Sequence, residues 1–219
     1  MTDVADLTLD ELRLVLAPDI ADAAVFDGWS DAAIICAAAA HGVKPEVARI
    51  AFPGGAMDMI AAWTARIDTD MALALPAEVL AKRKVRVRIR DLIQFRLDAV
   101  RGREEALRRA QSIMAMPQNL PTALKLGWRS ADAMWRLAGD VATDYNHYTK
   151  RMILAGIYTA TLAVFADDKS EGKAETAAFL DRRIDGVMRF EAAKAKWLRP
   201  SDEMFSVARF LGRLRYPAI

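Results

Sequence analysis

Cysteine is nearly absent from this chain. Cys36 is the single thiol in 219 residues, so no intrachain disulfide can form. Within Ile34-Ile35-Cys36-Ala37 it reads as a buried structural thiol rather than a nucleophile. Histidine is almost as scarce, with only His41 and His147. There is no P-loop, dinucleotide Gly-rich loop, cysteine-rich zinc spacing or Gly-x-Ser-x-Gly elbow. These gaps remove the commonest signatures of nucleotide, zinc and serine-hydrolase chemistry. Long hydrophobic runs are missing too. The longest, Met152 to Ala166, has 15 residues, short of the roughly 20 that span a bilayer. Strand-like alternation is confined to Lys84-Val85-Arg86-Val87-Arg88-Ile89. Even that stretch continues at helical spacing into Leu92, Ile93, Leu97 and Val100.

What remains is a globular, helix-forming composition, 53% hydrophobic and 27% charged. The net charge of +2 conceals an asymmetry. Residues 1–63 hold ten acids against three bases, a charge of −7, which leaves +9 on the rest. Proline, glycine and capping residues divide the chain into helices. Thr8 caps a first helix through Leu16, and Ser30 caps a short one ending at His41-Gly42, where His41 serves the helix end. Pro45 opens a third, and a fourth runs through Trp63 towards Leu75. One long helix is predicted from about Pro76 to Met116, with a break at Gly102. Pro121 opens the next, Thr143 caps another through Phe165, and Gly172 to Lys196 forms one more. Pro200-Ser201 starts a separate last helix.

The segment Ala37 to Phe52, with glycine in the turn, resembles the helix-turn-helix domain of tetracycline-repressor-like (TetR-like) regulators. That resemblance implies an all-α fold with a degenerate N-terminal helix-turn-helix and a C-terminal helical ligand-binding and dimerisation domain. The expected division is residues 1–66, 67–196, and an amphipathic C-terminal helix at 197–219. Nucleic acid is not the expected partner. Affinity for DNA rests on cations that neutralise phosphates, and this region is acidic. The would-be recognition helix, Pro45 to Phe52, offers one arginine, one glutamate and mostly aliphatic side chains.

Few residues suggest catalysis. Asp140, Asp144 and His147 would share one helical face if the helix reached back to Asp140, a spacing compatible with a metal. Helix-start roles explain Thr143 and Asp144 better, so no metal site and no catalytic residue is assigned. The distinctive stretch runs from Trp128-Arg129-Ser130 through Met134-Trp135 and Ala138-Gly139-Asp140 to Thr143-Asp144-Tyr145-Asn146-His147-Tyr148-Thr149-Lys150-Arg151. With Gly28-Trp29-Ser30, Phe52-Pro53-Gly54-Gly55 and Phe179 to Asp185, it resembles the lipid-binding accessory family of ubiquinone (coenzyme Q) biosynthesis.

That resemblance implies a non-catalytic protein without a cofactor, which binds a polyprenyl-quinone or another apolar lipid. It would present the lipid to the membrane-associated demethoxyubiquinone hydroxylase. The alternative is a ligand-responsive transcription regulator of the TetR class. The resemblance further implies a homodimer held peripherally on a membrane. For a chain without a recognisable leader, the expected place is the cytoplasm, on the inner membrane of a bacterial type of cell. Met134, His147 and Tyr148 match the family's exposed patch for the hydroxylase, although the family usually has tryptophan where this chain has His147. A lipid tunnel is expected among Leu92, Phe95, Leu97, Met114, Leu124, Trp128 and Trp135. Ten methionines and five tryptophans suit such a cavity and an ordinary core equally. The helix through Met152–Phe165 is apolar nearly all round, which suits a dimer seam shared with the helix carrying Phe179, Ile184, Val187 and Met188. Met204, Val207, Phe210, Leu211 and Leu214 share one face of the last helix, with Arg209 and Arg213 opposite. That pattern suits a membrane interface, or folding back on the body.

Overall fold

The computed structural model describes residues 6–141 and 145–198, and every regular element among them is helical. Residues Met1–Asp181 form one compact unit and Arg182–Ile219 a second.

Helix α1 (Leu9–Asp27) starts in a capping box. The Thr8 amide donates to Glu11 Oε2 at 2.8 Å, and the Glu11 amide donates back to Thr8 Oγ1 at 3.3 Å. The helix does not stop near Leu16 as its sequence suggested, but continues through Pro18. Pro18 has no N–H for the carbonyl of Leu14, and the Arg66 guanidinium supplies that hydrogen bond at 3.3 Å. Beyond the proline, Ile20, Ala21 and Ala24 are buried, so packing carries the helix forward.

Helices α2 (Asp31–Ala40) and α3 (Pro45–Ala51) form the helix-turn-helix against α1. Gly42 takes φ +66° in the turn, and Val43 N–H closes it on Ala38 O at 2.9 Å. His41 occupies the C-terminal cap of α2, and its Nε2 lies 2.8 Å from the Asp19 carboxylate of α1. Cys36 is exposed, not buried: Ala33, Ile34, Ala37 and Ala38 take the inward face of α2.

Helix α4 (Ala56–Ala74) packs on α1, α6, α7 and α8. The division expected at residues 66 and 67 falls inside this single helix, which ties the two halves of the first unit together. The stretch predicted as one helix from Pro76 to Met116 is three: α5 (Ala77–Leu80), α6 (Val85–Ala99) and α7 (Glu104–Met114). The second break is the expected one, with Gly102 at φ +80°. The first, at residues 81–84, is stabilised by Arg88. Its guanidinium donates to the carbonyls of Arg83 at 2.7 Å, Ala81 at 2.9 Å and Ala138 at 2.6 Å.

Helix α8 (Leu120–Leu137) has Pro121 in its first turn. Helix α9 (Tyr145–Asp167) packs on α8, α7 and α6. A turn at Glu171–Lys173 then leads into α10 (Ala174–Leu198). Asp168 organises that turn. It accepts from the Ser170 amide at 2.8 Å, the Thr176 amide at 2.8 Å and the Thr176 hydroxyl at 2.6 Å. These bonds outweigh the burial that opposes its charge and hold its carboxyl far below the usual carboxylate range. The last turn of α10 ends at Leu198, and the helix expected from Pro200 onward, like the cap expected at Thr143, lies outside the described residues.

The core of the first unit joins Leu16, Ile20, Met59, Ile60, Met71, Leu92, Ile93, Leu97 and Phe165. A guanidinium sits among them. Arg96 is buried, ion-paired with Asp68, donates to Ser130 Oγ at 3.0 Å, and lies 4.7 Å from the Tyr158 ring centroid. Four helices, α4, α6, α8 and α9, meet at this guanidinium. Breaking such a buried pair from one side typically costs about 3–5 kcal/mol.

Candidate partner and lipid surface

The corner between α8 and α9 is assembled around Arg151. This residue shares the inward face of α9 with Leu154, Tyr158, Thr161 and Phe165, at helical spacing. Its side chain is only 2% exposed. It donates to Asp132 of α8 at 2.6 Å, to Asp140 of the connecting segment at 3.0 Å, and to the carbonyl of His147 at 3.1 Å. Asp140, 6% exposed, also accepts from Lys150 Nζ at 2.7 Å. Burial alone would raise the Asp140 carboxyl, but the bonds from Lys150 and Arg151 hold it below the usual range. Asp140 thus precedes α9 and is engaged by two cations, so it does not share a helical face with His147. Asp132 is held from its other side by Arg136 at 2.8 Å.

This clamp fixes the first turn of α9, and the first turn presents an aromatic cluster. The Trp128 ring of α8 lies 5.9 Å from Tyr148 and 6.3 Å from His147, and the two α9 rings are 5.1 Å apart, edge to face. Tyr148 is 59% exposed. Around it, exposed apolar side chains continue as Leu120 and Leu124 on α8 and Met152 on α9. Leu120, Leu124 and Trp128 follow one another at i, i+4 and i+8, and Tyr148 and Met152 at i and i+4, so each helix contributes a stripe. Exposed apolar surface organised in this way marks an interaction site more often than chance exposure does.

Of the three residues expected in the partner patch, His147 and Tyr148 stand together at the surface. Met134 does not. It is fully buried, on the inward face of α8 with Leu126, Ser130 and Ala131. Trp128 takes its place in the cluster. Helical spacing marks the substitution: Trp128 is one and two turns from the exposed Leu124 and Leu120, whereas Met134 shares spacing with Ser130 and Ala131.

The residues expected to line a lipid tunnel divide in the same way. Leu92 and Leu97 are packed in the core. Phe95, Met114, Trp128 and Trp135 are half-buried. The Trp135 Nε1–H donates to Lys150 O at 3.0 Å, and Lys150 Nζ lies 5.4 Å from its ring centroid, so this side chain is tied to the α8–α9 corner. Leu124 is 73% exposed and is a surface residue, not the wall of an enclosed tunnel. A separate open cavity of about 390 Å³ is lined by Gly28, Trp29, Glu105, Arg108, Arg109, Ser112 and Ile113, none of them among the expected lipid contacts. The membrane-facing residues expected at Met204, Val207, Phe210, Leu211 and Leu214 lie outside the described residues.

On the helix-turn-helix side, Arg49 of α3 is bound to Asp31 of α2 through two bonds, Nε at 2.8 Å and Nη2 at 2.9 Å. The same helix exposes Val47 and Ile50. Among the described residues, no group of three or more His, Cys, Asp or Glu side chains is arranged to hold a metal, and no helix is long and apolar enough to cross a membrane.

The helical order and the α1–α3 motif define a TetR-like fold. A TetR transcriptional regulator from Nitrosomonas europaea superposes with a TM-score of 0.63 over 80% of this chain and 97% of its own, at 21% sequence identity. That likeness establishes the fold alone. The sequence relationship is to another family: residues 120–191, which carry α8, α9 and most of α10, match the model of the COQ9 family. The chain is 32% identical to the human "ubiquinone biosynthesis protein COQ9, mitochondrial" over 168 residues, 74% of this chain and 52% of the human protein. It is 43% identical to the rat protein of that name over 107 residues, 49% of this chain and 34% of the rat protein. The chain therefore spans about half or less of the length of these curated relatives. The stretch from Trp128 to Arg151, with the aromatic cluster and its clamp, lies inside the segment that matches the COQ9 model.

Proposed function

We propose that this chain acts in ubiquinone biosynthesis as a non-catalytic, lipid-binding homodimer. It binds a polyprenyl-quinone intermediate and presents it to demethoxyubiquinone hydroxylase at the surface of a membrane. The observation that carries the reading is the Trp128–His147–Tyr148 cluster, in which Tyr148 is exposed and the other two rings half-buried, held by the buried Arg151 clamp within the COQ9-matching segment. A buried ionic clamp beneath an exposed aromatic group is a docking arrangement: the aromatic supplies contact area, and the clamp removes the entropy of orienting it.

Lipid enters the proposal through the half-buried Phe95, Met114, Trp128 and Trp135. A polyprenyl tail would be taken up beside the same residues that meet the partner. Dimerisation through α9 is supported by the exposed side of that helix, where Met152, Gly156, Thr159 and Ala163 recur at helical spacing. Small residues along such a seam allow two helices to approach closely. The membrane contact is assigned to the apolar face of Met204, Val207, Phe210, Leu211 and Leu214.

The regulator reading has less support. DNA-binding proteins of this shape spend the cations of their second helix on phosphates and base edges, and Arg49 is instead engaged by Asp31.

Mass spectrometry of lipids extracted from the purified chain tests the proposal. A quinone or quinone precursor with an isoprenoid tail is the expected finding. A chain that carries no isoprenoid, and takes none up from quinone-loaded vesicles, would overturn it.

A further inference from the structure

The turn between α5 and α6 carries a charge pattern that neither the clamp nor the aromatic cluster uses. Residues 79–90 contain six bases, Lys82, Arg83, Lys84, Arg86, Arg88 and Arg90, and no acid. Residues 81–87 are all exposed. The bases have different tasks. Arg88 is turned onto the three backbone carbonyls that shape the turn, Arg90 pairs with Asp181 at 2.7 Å, and Arg83 pairs with Asp91. Lys82 and Lys84 form no ion pair among the described residues. The first turn of α6 also contains no acid, so the positive end of that helix adds to the same field.

Between these cations stand exposed valines, Val79 at 43%, Val85 at 46% and Val87 at 39%, while Leu80 anchors the turn in the core. The patch therefore offers cations and methyl groups side by side. It suits a surface where cations find phosphate groups and methyl groups find a less polar layer beneath them.

We propose that the α5–α6 turn, through Lys82, Lys84 and the valines beside them, is a contact for an anionic lipid bilayer surface. The proposal rests on the reading of this chain as a peripheral membrane protein, and it places a contact in the first unit, apart from the C-terminal segment. Nucleic acid is a poorer fit. The turn has no aromatic ring on which a base could stack and no Asn or Gln to read one, and exposed valines have no place against a phosphate backbone. A free phosphate would not account for a patch spread over nine residues with an apolar component.

The experiment uses the full chain and sedimentation with vesicles of phosphatidylcholine, alone or with 30% phosphatidylglycerol, at physiological salt. Each basic residue near an anionic surface contributes on the order of fivefold in partitioning. The K82Q/K84Q variant should therefore bind phosphatidylglycerol vesicles about thirtyfold more weakly, with an unchanged melting temperature, and K82R/K84R should bind as the unaltered chain does. If the unaltered chain sediments and K82Q/K84Q sediments equally, this inference fails and the peripheral-membrane reading stands. If the unaltered chain ignores anionic vesicles, both fail. If K82Q/K84Q keeps vesicle binding but loses retention on a nucleic-acid column, the patch belongs to nucleic acid and the inference is overturned.

Discussion

Replacing Arg151 by methionine would test the clamp directly. The substitution keeps an unbranched, apolar stem on α9 and removes the guanidinium. Removing one side of a buried ion pair costs about 3–5 kcal/mol when the partner is left without compensation. Here compensation is partial. Asp140 retains Lys150 at 2.7 Å, and Asp132 retains Arg136 at 2.8 Å. The expected loss therefore falls at or below the bottom of that range, about 2–3 kcal/mol, and about 2–4 °C in melting temperature accompanies each kcal/mol in a domain of this size. A fall of about 4–12 °C should be seen by calorimetry. Asp140→Asn should cost less, because Asn still offers an oxygen to Lys150. The double variant should lose less than the two single losses combined, with a coupling of about 1 kcal/mol or more. The His147 carbonyl also loses its side-chain donor, so the fluorescence of Trp128, whose ring lies 5.9 Å from Tyr148, should shift. A melting temperature within 2 °C of the unaltered chain would mean that Arg151 does not hold the corner, and the account of the cluster as a pre-oriented group would fall with it.

Further outcomes follow from the same geometry. Tyr148→Ala should weaken capture of demethoxyubiquinone hydroxylase by about tenfold or more in a pull-down while leaving the melting temperature within 1–2 °C, since interface aromatics carry disproportionate binding energy; equal capture would remove Tyr148 from the interface. Gly156→Leu should leave the monomer folded, because a Cβ at Gly156 meets nothing within 4 Å, and should shift the protein towards monomer in light scattering; an unchanged dimer would place the seam elsewhere. Asp168→Asn should cost about 1–3 kcal/mol at neutral pH, from weakened charge-assisted bonds to Ser170 and Thr176. Because the folded-state carboxyl lies below its unfolded value, that contribution is complete above about pH 4 and is lost as the pH falls through the folded value. The stability gap between variant and unaltered chain should therefore close on acidification, and a gap that widened would reverse the assignment.

Helix positions were largely legible in the sequence because local chemistry sets them. Pro45, Pro121 and Gly102 act where they stand, and the helices they bound begin or end beside them. Two boundaries were not legible, and both were decided by arginine side chains that bind backbone carbonyls. Pro18 reads as a stop until Arg66, 48 positions later, supplies the missing bond to Leu14. The break at residues 81–84 sits inside an unbroken helical pattern, and Arg88 stabilises it by donating to three carbonyls. Side-chain donors that replace backbone donors leave no periodic trace.

The candidate site divides along the same line. An aromatic stretch as unusual as Trp128 to Tyr148 drew attention as a motif, but a motif does not say which residues face out. Met134 carries a large apolar side chain and lies in the middle of that stretch, yet the inward face of α8 claims it. Helical arithmetic could have separated the two, since Leu120, Leu124 and Trp128 fall on one side and Leu126, Ser130 and Met134 on another. The same arithmetic places Arg151 on the buried side of α9, in line with Leu154, Tyr158 and Phe165. A cation on an apolar face requires an acid to meet it, and Asp132 and Asp140 are the acids within reach of the corner. Asp140 and His147 look like a metal pair when only their spacing is considered. Once Arg151 is placed on the inward face, Asp140 is its counter-ion, and the spacing to His147 follows from the helix start at Tyr145. The conflict between a charge and the face that carries it is therefore the stronger signal here, because burying an unpaired guanidinium costs more than any ligand spacing explains.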